Sequence, residues 1–252
     1  MTETVPAADD APPDLASLPR DDLLSMREAA VEVLTCQHVL AKTGHTVLTE
    51  LGAGPAATIA DWQHYPQGDV YDAEHHAQFY FHIHPEAERL AGELGHFHLF
   101  LRRESMPIDI VPLAEQGDGL CHLAAVSVDG GGRPLHLFTT NRWVTNETWF
   151  AASDLVGLVD RFAIGHAQPS WPVNRWVTAL SRLYRPEIGW LLRRRDRALA
   201  DHGQGRPLHE VLEDRSVEIL SGLDIDIAER IDDLDAALRR QRRAGLSSAP
   251  VP

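Results

Sequence analysis

Two His-x-His pairs set in alternating runs constrain this chain more than any other feature: His82-Ile83-His84 in AQFYFHIH and His96-Phe97-His98 in GHFHLFLR. Short runs that alternate polar and apolar residues read as half-buried β-strands. Side chains two apart on a strand share a face. Each run therefore aims two imidazoles one way and its apolar side chains the other. Those apolar residues are Phe79, Phe81 and Ile83 in the first run, and Phe97, Leu99 and Leu101 in the second.

The same reading gives strands over residues 77–84, 96–102, 120–128 and 134–140. Asp129-Gly130-Gly131-Gly132 marks a hairpin between the last two, since glycine supplies the positive φ of a tight turn. PEAERLAGEL reads as a short helix or turn, SMPIDIVPL as a crossing segment or edge strand, and residues 61–69 as an ordered loop. Helical spacing runs over residues 21–51, divided at Gly44, and returns over 153–162, 172–183, 187–199 and 208–240, with a break near Gly222. In the last stretch Leu220, Leu223, Ile227, Ile231, Leu234 and Leu238 form a heptad-like stripe. It can pack on the protein's own body or pair with a second copy in a homodimer. The fold class expected is α+β, a small antiparallel β-sheet of about four strands flanked by N- and C-terminal helices. One domain spans residues 19–242: helical over 19–52, the histidine-bearing sheet over 60–150, helical again over 153–242. Disordered tails are expected at 1–18 and 243–252.

Composition narrows the partners. The formal net charge is -14, which disfavours nucleic acid and anionic membrane, both of which reward positive surfaces. The chain contains two cysteines, Cys36 and Cys121, with no CxxC, a pattern that suits a reducing compartment and excludes a Cys-rich zinc module. The acidic, Pro- and Ala-rich start lacks the basic and apolar regions of a signal peptide, and no run approaches a membrane span. A cytoplasmic protein acting on a small-molecule ligand or substrate is expected.

Alternation extends the histidine face. His122 is expected to share a face with Ala124 and Val126, and His136 with Phe138 and Thr140. If sequential strands are neighbours, His82, His84, His96, His98, His122 and His136 gather on one side. The metal ligands expected are His82, His84, His96 and His98, with His75, His122 and His136 as further pocket residues. The cofactor expected is a transition metal ion, zinc or iron before others; an all-imidazole set also suits copper or nickel. Arg102 follows the alternation of His96 and His98 and can hold an anionic group. Arg142 and Glu147 follow the fourth strand, and Glu147 is a candidate proton shuttle. The spacing His82-x-His84, Glu88, Gly95 matches the first metal motif of cupins. The leading glycine is replaced by His76, however, the second motif lacks Pro-x-Gly, and PEAERLAGEL reads as helix where a cupin needs strand. HExxH, GxSxG, Walker and GxGxxG motifs are missing.

Two stretches repeat Asn-Arg-Trp, at Asn141-Arg142-Trp143 and Asn174-Arg175-Trp176. Together HYPQGDVYD, HHAQFYFHIHP, GHFHLFLR, TTNRWVTNETW and SWPVNRW resemble an uncharacterised family of bacterial proteins over roughly residues 64–176. The resemblance implies no activity. The residues themselves point to a metal-dependent enzyme, hydrolytic or oxidative. The alternative is a non-catalytic ligand-binding or metal-handling protein.

Overall fold

A computed structural model of the chain describes residues 11–52, 59–115 and 119–247. Six strands form one antiparallel meander in sequence order: β1 (Tyr65–Asp72), β2 (Ala77–His82), β3 (Gly95–Arg102), β4 (Leu120–Val128), β5 (Pro134–Thr140) and β6 (Ile219–Asp224). The expected α+β class stands, with six strands in place of about four. Both additions are edge strands. β1 lies partly within the stretch read as a loop. Pro66 and Gly68 hid it, but an edge strand tolerates both, and the β1–β2 register shifts between Tyr65 and Val70. β6 falls within the stretch that spacing assigns to a broken helix, because Leu220 and Leu223 are in step with Ile227. In the sheet, Gly222 marks a close approach: a Cβ there would lie 2.5 Å from His136 Nε2.

Eight α-helices accompany the sheet among the described residues: α1 (Arg20–Ala41), α2 (Val47–Glu50), α3 (Arg142–Thr145), α4 (Ala152–Leu155), α5 (Trp171–Leu183), α6 (Arg185–Gly203), α7 (Leu208–Leu212) and α8 (Ile227–Ser247). α5 buries Val173, Trp176, Val177, Leu180 and Leu183 at three- and four-residue spacing, and α1 does the same with Leu23, Met26, Ala30, Val33 and Leu40. They pack along each other, and Trp176 meets Phe97 of the sheet with ring centroids 5.2 Å apart. Phe79, Phe81, Ile83, Phe97 and Leu99 are buried in this core, each worth about 2–3 kcal/mol by area removed from water. α6 lies behind β4–β6, where Ser221 donates to the Leu191 carbonyl at 2.9 Å. α8 returns across α1, with Arg27 bonded to Asp235 at 2.8 Å. Its stripe therefore packs on the protein's own body: Ile227, Leu234 and Ala237 are buried in the main core.

Leu15 is buried in the same core although it falls within the stretch expected as a tail. Residues 1–10 and 248–252 of the expected tails lie outside the described residues. No helix among the described residues is long and apolar enough to cross a membrane.

One irregularity decides which way a histidine faces. Along β3 and β4 the partners run one to one from Gly95–Val128 to Leu99–Ala124, then jump to Phe100–His122. Leu123 is the extra residue of a β-bulge. His122 therefore does not share a face with Ala124 and Val126, as alternation alone predicts. The bulge turns it onto the face of His98 and Phe100, while Ala124 and Val126 oppose Leu99 and Phe97 on the helix-covered side.

Candidate metal centre

The sheet face turned away from α1 and α5 carries the histidines. His82 of β2 lies directly opposite His96 of β3, and Tyr80 opposite His98. Adjacent strands thus bring three imidazoles together without help from loops. One ring nitrogen each from His82, His96 and His98 lies within 4.8 Å of the others. Nitrogen–zinc bonds of about 2.0–2.1 Å fit such spacing. His82 Nε2 and His96 Nε2 approach to 2.7 Å.

On His96 and His98 one ring nitrogen is committed outside the triad, which leaves the other for an occupant. His96 Nδ1 donates to the Glu93 carboxylate at 2.6 Å, so its Nε2 carries a lone pair. Glu93 is itself held by the Leu90 backbone N–H at 2.9 Å and the Ser127 hydroxyl at 3.2 Å. His98 Nδ1 bonds His122 Nε2 at 3.0 Å, and His122 Nδ1 meets the Thr140 hydroxyl at 3.4 Å. Read outward, with each ring donating from Nδ1, this chain leaves a lone pair on His98 Nε2. That atom is buried and has no hydrogen-bond partner. An orphaned buried nitrogen is costly and calls for an occupant.

Electrostatics keep His82 and His98 neutral, the form that ligates. Burial, reinforced by His96, His84 and His64, lowers His82 to about 2. Burial and the neighbouring imidazoles hold His98 well below its usual range. Burial would raise Glu93, but the bond from His96 and the Leu90 and Ser127 donors bring it below the usual carboxylate value.

Aromatic rings surround the triad. Tyr80 stands edge-on to His82 with centroids 5.4 Å apart, and Phe138 edge-on to His96 at 5.1 Å. Phe138 reaches across β4, whose residues opposite His98 and His96 are the small Ala125 and Ser127. Trp62 leans on His84 with centroids 4.2 Å apart. His64 stacks on Tyr80 at 3.7 Å, and its Nδ1 bonds Asp69 at 2.9 Å.

The other expected site residues are placed as follows. His84 lies beside His96, ring centroids 5.0 Å apart, but outside the triad. Burial, with His96, lowers it to about 4. His122 stands one step behind His98. His136 shares the sheet face, opposite Ser127, and bonds Asp224 at 2.7 Å. Arg102 shares it too, but its guanidinium donates to Gln78 at 2.6 and 2.9 Å, beyond Phe100 from the triad. His75 bonds Asp72 in the β1–β2 turn, at the far end of β2 from His82. Arg142 pairs with Glu213 at 2.6 Å. Glu147 accepts from the His122 backbone N–H at 2.7 Å, and burial raises its carboxyl to about 7 despite Arg195. Sequence pattern alone does not single out Glu93, Trp62 or His64. Glu93 lies in a segment whose pattern fits a short helix or turn, and the other two lie in DWQHYPQGD, whose aromatic and polar composition is the available signal.

Fold and site together define an α+β protein with a helix-backed antiparallel sheet and a buried histidine triad able to hold a metal ion. The chain belongs to the family of a domain of unknown function, DUF6969, whose model matches residues 27–225. No curated protein and no solved structure matches it.

Proposed function

We propose that this chain is a metal-dependent enzyme acting on a small molecule, with His82, His96 and His98 holding one divalent transition ion. The observation that carries the reading is the buried, unpartnered Nε2 of His98, on a ring that has one nitrogen within 4.8 Å of a nitrogen of His82 and of His96. The carboxylate behind His96 supports it, because metal-bound histidines are typically oriented by such a partner. Three protein ligands leave a coordination position free, which suits catalysis better than a closed structural site. A bound ion would supply Lewis acidity or an activated water, for hydrolytic or oxidative chemistry. The three-imidazole set suits zinc or iron, and also copper or nickel. The chain's own contribution is to keep His82 and His98 neutral, fix the direction of the three rings from two paired strands, and limit water.

Elemental analysis of native, tag-free protein tests this against a His96→Ala, His98→Ala double variant of the same helical content. About one ion per chain is expected in the native protein and a small fraction of that in the variant. Equal metal content in the two removes these residues from the site. A metal-free native protein removes the reading itself.

A further inference from the structure

Trp62 is displayed in a way its packing does not require. Its backbone is left-handed, φ 65°, a region that bulky side chains rarely adopt. Its own N–H holds it there by donating at 2.9 Å to the carbonyl of Ile83, between the two histidines of the first pair. The side chain is 56 % exposed. A large aromatic held on disfavoured backbone and turned largely to water fits a binding role better than a core role. Its indole leans on His84 and lies 6.3 Å from the His82 ring, at the edge of the triad. His82, His84 and His96 keep 6–9 % exposure whereas His98 keeps 1 %, so solvent reaches the site from the side of the first three.

We infer that the open side of the metal centre receives a flat, unsaturated small molecule bearing a single anionic oxygen, with Trp62 as the ring it stacks on. The inference rests on the metal reading above. Flatness follows from the walls: Trp62, Tyr80 and Phe138 bound the triad, and aromatic faces and edges pack best against another π-system. The single charge follows from the balance of groups. Three neutral imidazoles leave a divalent ion's charge uncompensated, which attracts an oxyanion. Glu93 already stands behind His96. A ligand with several negative charges meets that carboxylate and is repelled.

Benzoate and cyclohexanecarboxylate are the probes, alike in charge and close in size, only the first being flat. They are titrated calorimetrically into metal-loaded full-length protein. Benzoate is expected to bind about fivefold tighter than cyclohexanecarboxylate, the worth of one aromatic contact. Trp62→Ala abolishes that preference, Trp62→Phe retains it, and both variants keep the native metal content. Equal affinities in the native protein overturn the inference. So does a preference that survives Trp62→Ala, benzoate binding unaffected by chelation, or loss of metal from both variants. A metal-loaded protein indifferent to benzoate overturns this inference alone, whereas a native chain that takes up no metal overturns the metal reading with it.

Discussion

Glu93 shows how much of a histidine's behaviour is decided by the group behind it. One oxygen takes the Nδ1 proton of His96 and the Ser127 hydroxyl, the other the Leu90 N–H, so the carboxylate is immobilised before the ring is. Glu93→Gln keeps the shape and removes the charge that makes His96 a better donor. Metal affinity, measured by competition with a chromophoric chelator, is expected to fall about tenfold. An unchanged affinity would mean that the strands alone orient the ring. At this scale His82, His96 and His98 were legible in the sequence, because alternation fixes a face. Glu93 was not: its approach to His96 depends on the path of the turn from Pro85 to Leu94, which no periodicity encodes. Nor was the place of His84, which follows the end of β2 at His82 and stands beside the three-ring cluster.

The β2–β3 pair is the element on which the site depends, and it closes tightly at one glycine. A Cβ on Gly95 would stand 2.3 Å from the His82 carbonyl oxygen and 2.6 Å from a methyl of Ile83. Backbone cannot yield cheaply, so Gly95→Ala is expected to push the strands apart beside the His82–His96 pair. The cost is roughly 1–3 kcal/mol, read from urea unfolding, together with reduced metal uptake. Native stability in that variant would show that the strands can part without strain. Four of the six strands, and the long helices α1, α5 and α6, could be read from hydrophobic period. β1 and β6 could not, since glycine, proline and a fortuitous leucine spacing masked them. The bulge at Leu123 was invisible for a different reason. An inserted residue reverses alternation only for the part of the strand beyond it, and CHLAAVSV reads as a regular run.

Across the whole molecule, some polar groups are buried along with the core, and the cost of burying them appears in Glu147, which is fully buried. The carboxyl titrates at 4.5 when exposed, and burial raises it to about 7 in the folded protein. Between those values the folded state keeps a proton that the unfolded chain has released, so stability falls as pH rises through that window and levels off above it. Glutamine does not titrate and can still accept from the His122 N–H. Glu147→Gln is therefore expected to gain on the native protein between pH 5 and pH 8, by roughly 3 kcal/mol in paired denaturant titrations. A constant difference between the two would show that Glu147 is ionised throughout. Charge, composition and periodicity revealed the class of fold and the face of the site, but this penalty depends on tertiary neighbours such as Arg195 that lie far away in the chain.

All three proposed ligands come from a single hairpin, between residues 82 and 98. Nearness in the chain survives denaturation, so an unfolded molecule keeps these imidazoles within reach of one another and can chelate loosely. An ion that binds both states protects only by the difference in its grip on each. Saturating metal should then raise the melting temperature by less than its native-state affinity alone would imply.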